Sequence, residues 1–366
     1  MKSRLETGRL SARGFVPAAM VALALAGGAA GAASAPLSLA SMGVFYVGGV
    51  RVESPYADDR AAKLPNSGYS TVLHQAKVTF LIPETTTGPA IILVPGFGLS
   101  SSIYLSTPDG REGWAQSFAR GGHPVYVVDV PDRGTSGMAV DAVNGCIARD
   151  PAYPCSPDIM LGRTSLENPW RIWGFGPRFG ERHATSRFPA FPLQQNYIEQ
   201  FGASFEVFSG SGAMGASGPT TTTASALQRL LERVGPAVLV LHSAAGGPGF
   251  NLAIARSDLV KAVVAIETTP CPGDGPDGNN ALGKVPLLGI YGDFVNERVG
   301  GEHPARHASC KRAAESLARS GVAAGFIDLP KELKIAGNSH LMMMDDNSAE
   351  IAGLIDRWLM EAGIRR

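Results

Sequence analysis

The stretch that most constrains this chain is Val238-Leu239-Val240-Leu241-His242-Ser243-Ala244-Ala245-Gly246-Gly247. An apolar, β-branched-rich run stops at His-Ser and passes through small residues into Phe250-Asn251-Leu252-Ala253-Ile254-Ala255, which has helical spacing. That sequence reads as a strand, a tight turn and a helix. A serine at such a turn is held in a strained, exposed position, its hydroxyl above the strand ends and the next amide facing the same space, which is the design of a nucleophile elbow. Leu241 and Ala245 stand where the G-x-S-x-G pattern has glycines, so the pattern is incomplete. A turn serine without chemistry fits the stretch about as well, and the decision rests on whether the partners of a nucleophile occur elsewhere.

The elbow lies within a regular rhythm. Continuous apolar runs at 90–94, 125–130, 260–266, 285–291 and 325–329 read as strands buried on both faces. Helical patterns at 113–120, 224–234, 310–320 and 348–361 alternate with them. Such alternation predicts a parallel, doubly wound sheet with helices on both faces, whose sites form at the carboxyl ends of the strands. Ahead of it, residues 43–52 read as two short strands turning at Gly48-Gly49, and residues 72–82 as a half-buried antiparallel edge strand. Residues 138–222 break the rhythm. They hold Trp170, Trp173, Phe175, Phe179, Phe188, Phe191, Tyr197, Phe201, Phe205 and Phe208 among many Pro and Gly, and are expected to form a cap over the site, a satellite core, or both. A Ser/Thr/Gly-rich link at 209–223 closes this insertion and is suited to a hinge.

The organisation is therefore a leader at 1–35, a first part of the α/β core at 36–137, a cap at 138–222 and the rest of the core at 223–366. In the leader, Lys2, Arg4, Arg9 and Arg13 precede an apolar run at 15–26 and small residues with A-x-A sites at 30–32 and 33–35, the pattern of a bacterial Sec signal peptide. Secreted or periplasmic location follows, with no membrane anchor in the mature form. Removing four basic groups and one acidic group, a net +3, takes the charge from +0 to −3, which gives no basic face for nucleic acid. The four cysteines suit two disulfides in an exported protein. Three pairings exist; Cys146 with Cys155 and Cys271 with Cys310 are favoured.

A serine hydroxyl needs a base, and imidazole suits it because its pKa lies near the working pH. His340, after the last strand and before the last helix, has the position and the Ser-before-His order of the α/β-hydrolase plan. His242, beside the serine, is expected to pack or to orient the elbow. His303 and His307 have the i,i+4 spacing of a metal pair, but Pro304 between them and the lack of a third ligand favour a solvated loop, and no metal or cofactor is expected. The base needs an acid. Glu267 and Asp293 each end a strand at the correct edge, and position alone favours Asp293. The oxyanion needs two amides: Ala244 follows the serine, and Phe97 sits in the turn Pro95-Gly96-Phe97-Gly98, where glycine at 96 and 98 permits close approach of substrate.

Several segments together resemble the secreted bacterial serine esterases of the α/β-hydrolase superfamily that carry an S-H-S-Q-S-G elbow and a glutamate acid. They are Phe45-Tyr46-Val47-Gly48-Gly49, Thr107-Pro108-Asp109-Gly110-Arg111-Glu112-Gly113-Trp114, Asp132-Arg133-Gly134-Thr135-Ser136, Phe175-Gly176-Pro177-Arg178 and Gly337-Asn338-Ser339-His340-Leu341-Met342-Met343-Met344-Asp345. The resemblance implies an α/β-hydrolase fold with an inserted cap and moves the acid from Asp293 to Glu267. Phe97-Gly98 replaces two adjacent cysteines often found in that group, Ala244 replaces a glutamine, and Leu241 replaces a serine.

The expected activity is cleavage of small carboxylic esters through an acyl-enzyme, by Ser243, His340 and Glu267 with the Phe97 and Ala244 amides. Gly96, Gly98, Trp170, Trp173 and Leu341 are the expected pocket residues. The aromatic cap and the methionine run suit an apolar acyl or aryl group, although core packing is an equally common fate of such residues. A lactonase, an amidase or an acyltransferase on the same triad, or a secreted binding protein with a degenerate site, are the alternatives. A homodimer is compatible with the sequence.

Overall fold

The apolar runs assemble into an eight-stranded sheet in the computed structural model, which describes residues 35–54, 56, 70–153, 155, 161–189, 195–209, 219–273, 281–300 and 302–365. Its strands are β1 (Leu39–Glu53), β2 (Ser70–Pro83), β3 (Ala90–Val94), β4 (Val125–Asp129), β7 (Ala237–His242), β8 (Val260–Ile266), β9 (Leu287–Tyr291) and β10 (Ala324–Asp328); β5 (Leu161–Gly162) and β6 (Phe208–Ser209) form a separate ribbon. The order is β1-β2-β4-β3-β7-β8-β9-β10. β1, β2 and β4 pair antiparallel, and every pair from β4 to β10 is parallel. This is the α/β-hydrolase fold. The expected leader lies outside the described residues except for its last position. Leu37–Arg366 forms one compact unit.

The central strands are buried on both faces because successive side chains feed two different cores. Val238 and Val240 of β7 point to one, with Trp114, Phe118 and the helix Ser348–Glu361. Leu239 and Leu241 point to the other, with Leu230, Phe250 and Leu317. A helix on each face covers what the strands expose, so the unbroken apolar runs record two-sided burial.

Three expectations change. Gly48 and Gly49 do not turn a hairpin: β1 runs straight through them, and both take left-handed φ, +68° and +74°, opposite His74 at +66°. A kink within a strand and a turn between strands both call for a residue without Cβ, so the local sequence does not distinguish them. β2 is internal, between β1 and β4, and β1 is the edge strand. The helix expected from 310 starts earlier, at His303–Arg319, with Pro304 in its first turn, where a missing N–H costs nothing. His303 and His307 are therefore helical rather than on a solvated loop.

Between β4 and β7 the chain forms short helices, Val140–Ala148, Asn168–Ile172 and Gln195–Ala203, and the last two contribute to an aromatic cluster. Phe175 stacks on Phe188 at 3.6 Å, and Trp173, Phe201 and Phe205 meet edge to face. The cluster is continuous with one main core. Phe191 and residues 210–218 of the link lie outside the described residues, and the link's end is already helix, Pro219–Val234. Both disulfides, Cys146–Cys155 and Cys271–Cys310, join the favoured partners.

Candidate active site

Ser243 stands where β7 ends, with φ +53°, and opens a tight turn, Ser243–Ala245, that runs into the helix Gly246–Ala255. A left-handed non-glycine residue costs on the order of 1–3 kcal/mol and persists only where its surroundings enforce it. Here the Thr269 amide donates to the Ser243 carbonyl at 3.0 Å. Small residues let the turn close: a Cβ on Gly246 would stand 2.5 Å from Thr269 Oγ1, and one on Gly249 would stand 2.3 Å from Leu241 Cδ1. The bulk of Leu241 is thus taken up by a glycine one turn into the helix, and the elbow forms without the usual flanking glycines. The Ala244 amide lies in the tight turn that leads into this helix. A Cβ on Gly96 would stand 2.7 Å from Ser243 Cβ, so the Pro95-Gly96-Phe97-Gly98 turn is packed directly against the serine.

His340 is almost wholly buried and is fixed on three sides. Its amide donates to Trp173 O at 2.8 Å, its carbonyl accepts from His242 Nε2 at 3.0 Å, and its Nδ1 lies 2.7 Å from Glu267 Oε2. The carboxylate acceptor keeps the proton on Nδ1 and leaves Nε2 bare, the tautomer of a general base. His242 and His340 rings are 4.6 Å apart, which sets the histidine loop against the elbow. Burial lowers His340 to a pKa of about 4, against the raising contact with Glu267, so its imidazole is neutral across the physiological range.

Glu267 ends β8 with φ +44° and is 1% exposed. Its Oε1 accepts from the Gly292 amide at 2.8 Å and from Arg298 Nη2 at 3.2 Å, and its Oε2 also meets Arg298 Nη1. Burial alone would raise this carboxyl; the Arg298 charge and the His340 contact outweigh it and hold Glu267 well below the usual carboxylate range. Asp293 takes another part. Its Oδ2 accepts from Gly337 N at 3.0 Å and its Oδ1 from Phe294 N at 2.9 Å, so it braces the start of the histidine loop.

Of the expected pocket residues, Gly96 and Gly98 line the turn at the serine, Gly98 with φ +71°. Trp170, Trp173 and Leu341 are packed in the core, as are Met342, Met343 and Met344, so in this structure the methionine run fills the interior beneath the histidine loop. Sequence reasoning assigned no site role to three residues that the structure brings to the site. Arg298 pairs with Glu267 across 31 positions, a separation with no local periodicity. His303 is 3% exposed, its ring centroid 5.5 Å from that of His340 and its Nε2 without a partner. Arg133 lies over Phe97. Glu267, His303 and His340 could offer one ligand atom each within 4.8 Å; a cation there would have to compete with Arg298 for Glu267.

No protein-family model matches the chain. A curated protein described as a probable secreted lipase, phiG, of a fungal sp. (strain ATCC 74256) is 26% identical over 330 residues, 76% of this chain and 84% of its own length. A solved structure described as a novel bacterial esterase is 29% identical, with a TM-score of 0.77 over 90% of this chain and 98% of the other.

Proposed function

We propose that the protein is a secreted serine hydrolase that cleaves carboxylic esters through an acyl-enzyme. The observation that carries the reading is the buried contact of His340 Nδ1 with Glu267, 2.7 Å, behind an elbow whose serine is forced into a left-handed conformation. The likeness to a secreted lipase and to a bacterial esterase supports the same chemistry. In this reading Ser243 attacks the ester carbonyl as His340 Nε2 removes its proton. The Phe97 and Ala244 amides receive the oxyanion, His340 returns the proton to the departing alcohol, and water repeats the sequence on the acyl-enzyme. Glu267 holds the imidazole and stabilises the imidazolium. Export through a Sec leader fits the disulfides and the secreted relative.

The test is labelling with a fluorophosphonate probe together with turnover of p-nitrophenyl esters, lactones and amides. Labelling that disappears in Ser243→Ala, with esters the fastest substrates, is expected. Labelling that survives Ser243→Ala, or none in the wild type, overturns the reading; faster lactones or amides move it to the lactonase or amidase alternative.

A further inference from the structure

Arg133 lies in the loop that leaves β4, just before the turn Gly134–Ser136 and two strands from the elbow at the same edge of the sheet. It is 5% exposed, and its guanidinium carbon lies 5.5 Å from the centroid of the Phe97 ring. Phe97 follows Gly96, the residue packed on Ser243, and its ring meets Phe208 with centroids 4.4 Å apart. The amide of Glu206 donates to Gly98 O at 3.0 Å and that of Gly134 to Val207 O at 3.3 Å. The β4 loop, the end of the cap and the turn beside the serine are thus one connected wall.

A buried guanidinium ordinarily spends its donors on carboxylates or carbonyls. Arg298 does so on Glu267 and Asp293, and Arg111 on Asp109, Met344 and Asp345. Arg133 makes no side-chain hydrogen bond or ion pair with any described residue; its partners are the Phe97 face and the more distant charges of Glu206 and Asp132. Neither acid forms an ion pair or hydrogen bond with it, although both lie near enough for their charge to favour the cation. The Asp132 carboxylate is spent on His74 Nδ1 at 2.8 Å. Glu206 is 3% exposed, and both of its carboxyl oxygens are buried without a partner. Burial, with the charge of Asp129, raises Glu206 to a pKa of about 8 against the lowering pull of Arg133 and Lys77, which makes it a neutral carboxylic acid near pH 7. A buried guanidinium without an acceptor therefore stands over Phe97 of the oxyanion turn, and the Glu206 carboxyl lies against Gly134, the next residue in the chain.

We propose that Arg133, on the wall built by Phe97, forms a subsite for a carboxylate carried by the substrate, so that the preferred esters are acidic ones. The guanidinium, which no carboxylate of the described residues bonds, would take the substrate carboxylate in two parallel hydrogen bonds. This rests on the ester-hydrolase reading and adds a substrate class to it.

The test compares esters matched in length. The mono-p-nitrophenyl ester of glutaric acid against its methyl ester places the charge on the acyl side; p-carboxyphenyl butyrate against its methyl ester places it on the leaving group. In the wild type, one of the two anionic substrates is expected to exceed its neutral partner about tenfold or more in kcat/KM, the effect of a charge-assisted hydrogen bond, and the pair that shows it identifies the side. That ratio is expected to fall towards one in Arg133→Met, to be partly restored in Arg133→Lys, and to persist in Glu206→Gln. A wild-type ratio near one in both pairs overturns the subsite without need of a variant, and so does a ratio that Arg133→Met leaves intact. Either outcome leaves ester hydrolysis standing, whereas no turnover of any of the four esters removes the ester-hydrolase reading itself.

Discussion

Glu267 and Arg298 show how a single buried pair can set the working conditions of a site. Removing one partner of such a pair leaves an uncompensated charge, at a cost of about 3–5 kcal/mol. Arg298 also bears on His340, because its charge disfavours the imidazolium. The charged and titratable groups facing His340 are Glu267, Arg298, His303 and His242. In the proposed mechanism His340 acts as a base only when neutral, so activity is expected to fall as the pH drops through the His340 pKa, nearer 4 than 6.5. Replacing Arg298 with Met removes a cation that lowers His340, and the acid limb of kcat/KM is expected to move to higher pH; an unmoved limb in folded Arg298→Met would show that the arginine only packs. The acid itself is tested by Glu267→Gln, for which a loss of kcat on the order of 10⁴ is expected, as for other triad acids made neutral. Asp293→Asn keeps an acceptor for the Gly337 amide and is expected to cost far less; the opposite ranking in ester turnover would return the role to Asp293.

The histidine loop is the element on which the site depends most, and it is held from outside itself. Asp345, wholly buried, accepts from Ser339 N at 2.7 Å, Ser339 Oγ at 2.8 Å and Asn338 Nδ2 at 2.9 Å. Arg111 holds the Asp345 carbonyl at 2.8 Å, and the Arg187 amide holds Gly337 O at 2.8 Å. Gly337 has φ +90°, and a Cβ there would stand 1.7 Å from Thr185 O, so the segment between β4 and β7 and the histidine loop meet backbone to backbone. An asparagine at 345 offers one acceptor oxygen where the carboxyl offers two. Asp345→Asn is expected to lose about 1–3 kcal/mol, read as a lower melting temperature, and to lower ester turnover by loosening His340. Unchanged stability with unchanged turnover would mean that the loop is held by its other contacts alone.

Across the whole molecule, buried titratable groups pull stability in opposite directions with pH. His340 and His303 are lowered to about 4 by burial, and His242 lies well below 6.5. The unfolded chain binds more protons at these positions between pH 4 and 6.5, so their contribution is present above 6.5 and is lost as pH falls through that window. Asp345 and Glu206 are raised by burial to about 7 and about 8. There the folded state binds more protons above the ordinary carboxyl range, and stability declines as pH rises towards 8. Three histidines against two acids leave a net gain with pH up to about 6.5 and a decline beyond it. Melting followed by circular dichroism from pH 4 to 9 is expected to peak between about 6 and 7; a flat or steadily rising profile would contradict the assignment of these buried groups.

How much of this was legible before folding depended on the range of the interactions. The strand-turn-helix at Ser243, the two-sided burial of the central strands and the final helix, which spans Ser348–Glu361 as expected, are set by neighbours a few residues apart, and their periodicity survives in the sequence. His340 was legible because its loop must follow the last strand. Gly48 and Gly49 were misread because a positive φ demands glycine whether the chain reverses or only kinks. His303 was misread because Pro304 is a breaker in mid-helix but not in a first turn. The sequence by itself determined the sheet, its edge of sites and two candidate acids. Only the tertiary structure decided that Glu267 touches His340 while Asp293 braces the loop, that Gly249 makes room for Leu241, and that Arg298 and Arg133 reach the site at all. Apart from the Leu241–Gly249 fit, which spans eight positions across a turn, those facts depend on side chains brought together across tens of residues by packing, and no local spacing encodes such contacts.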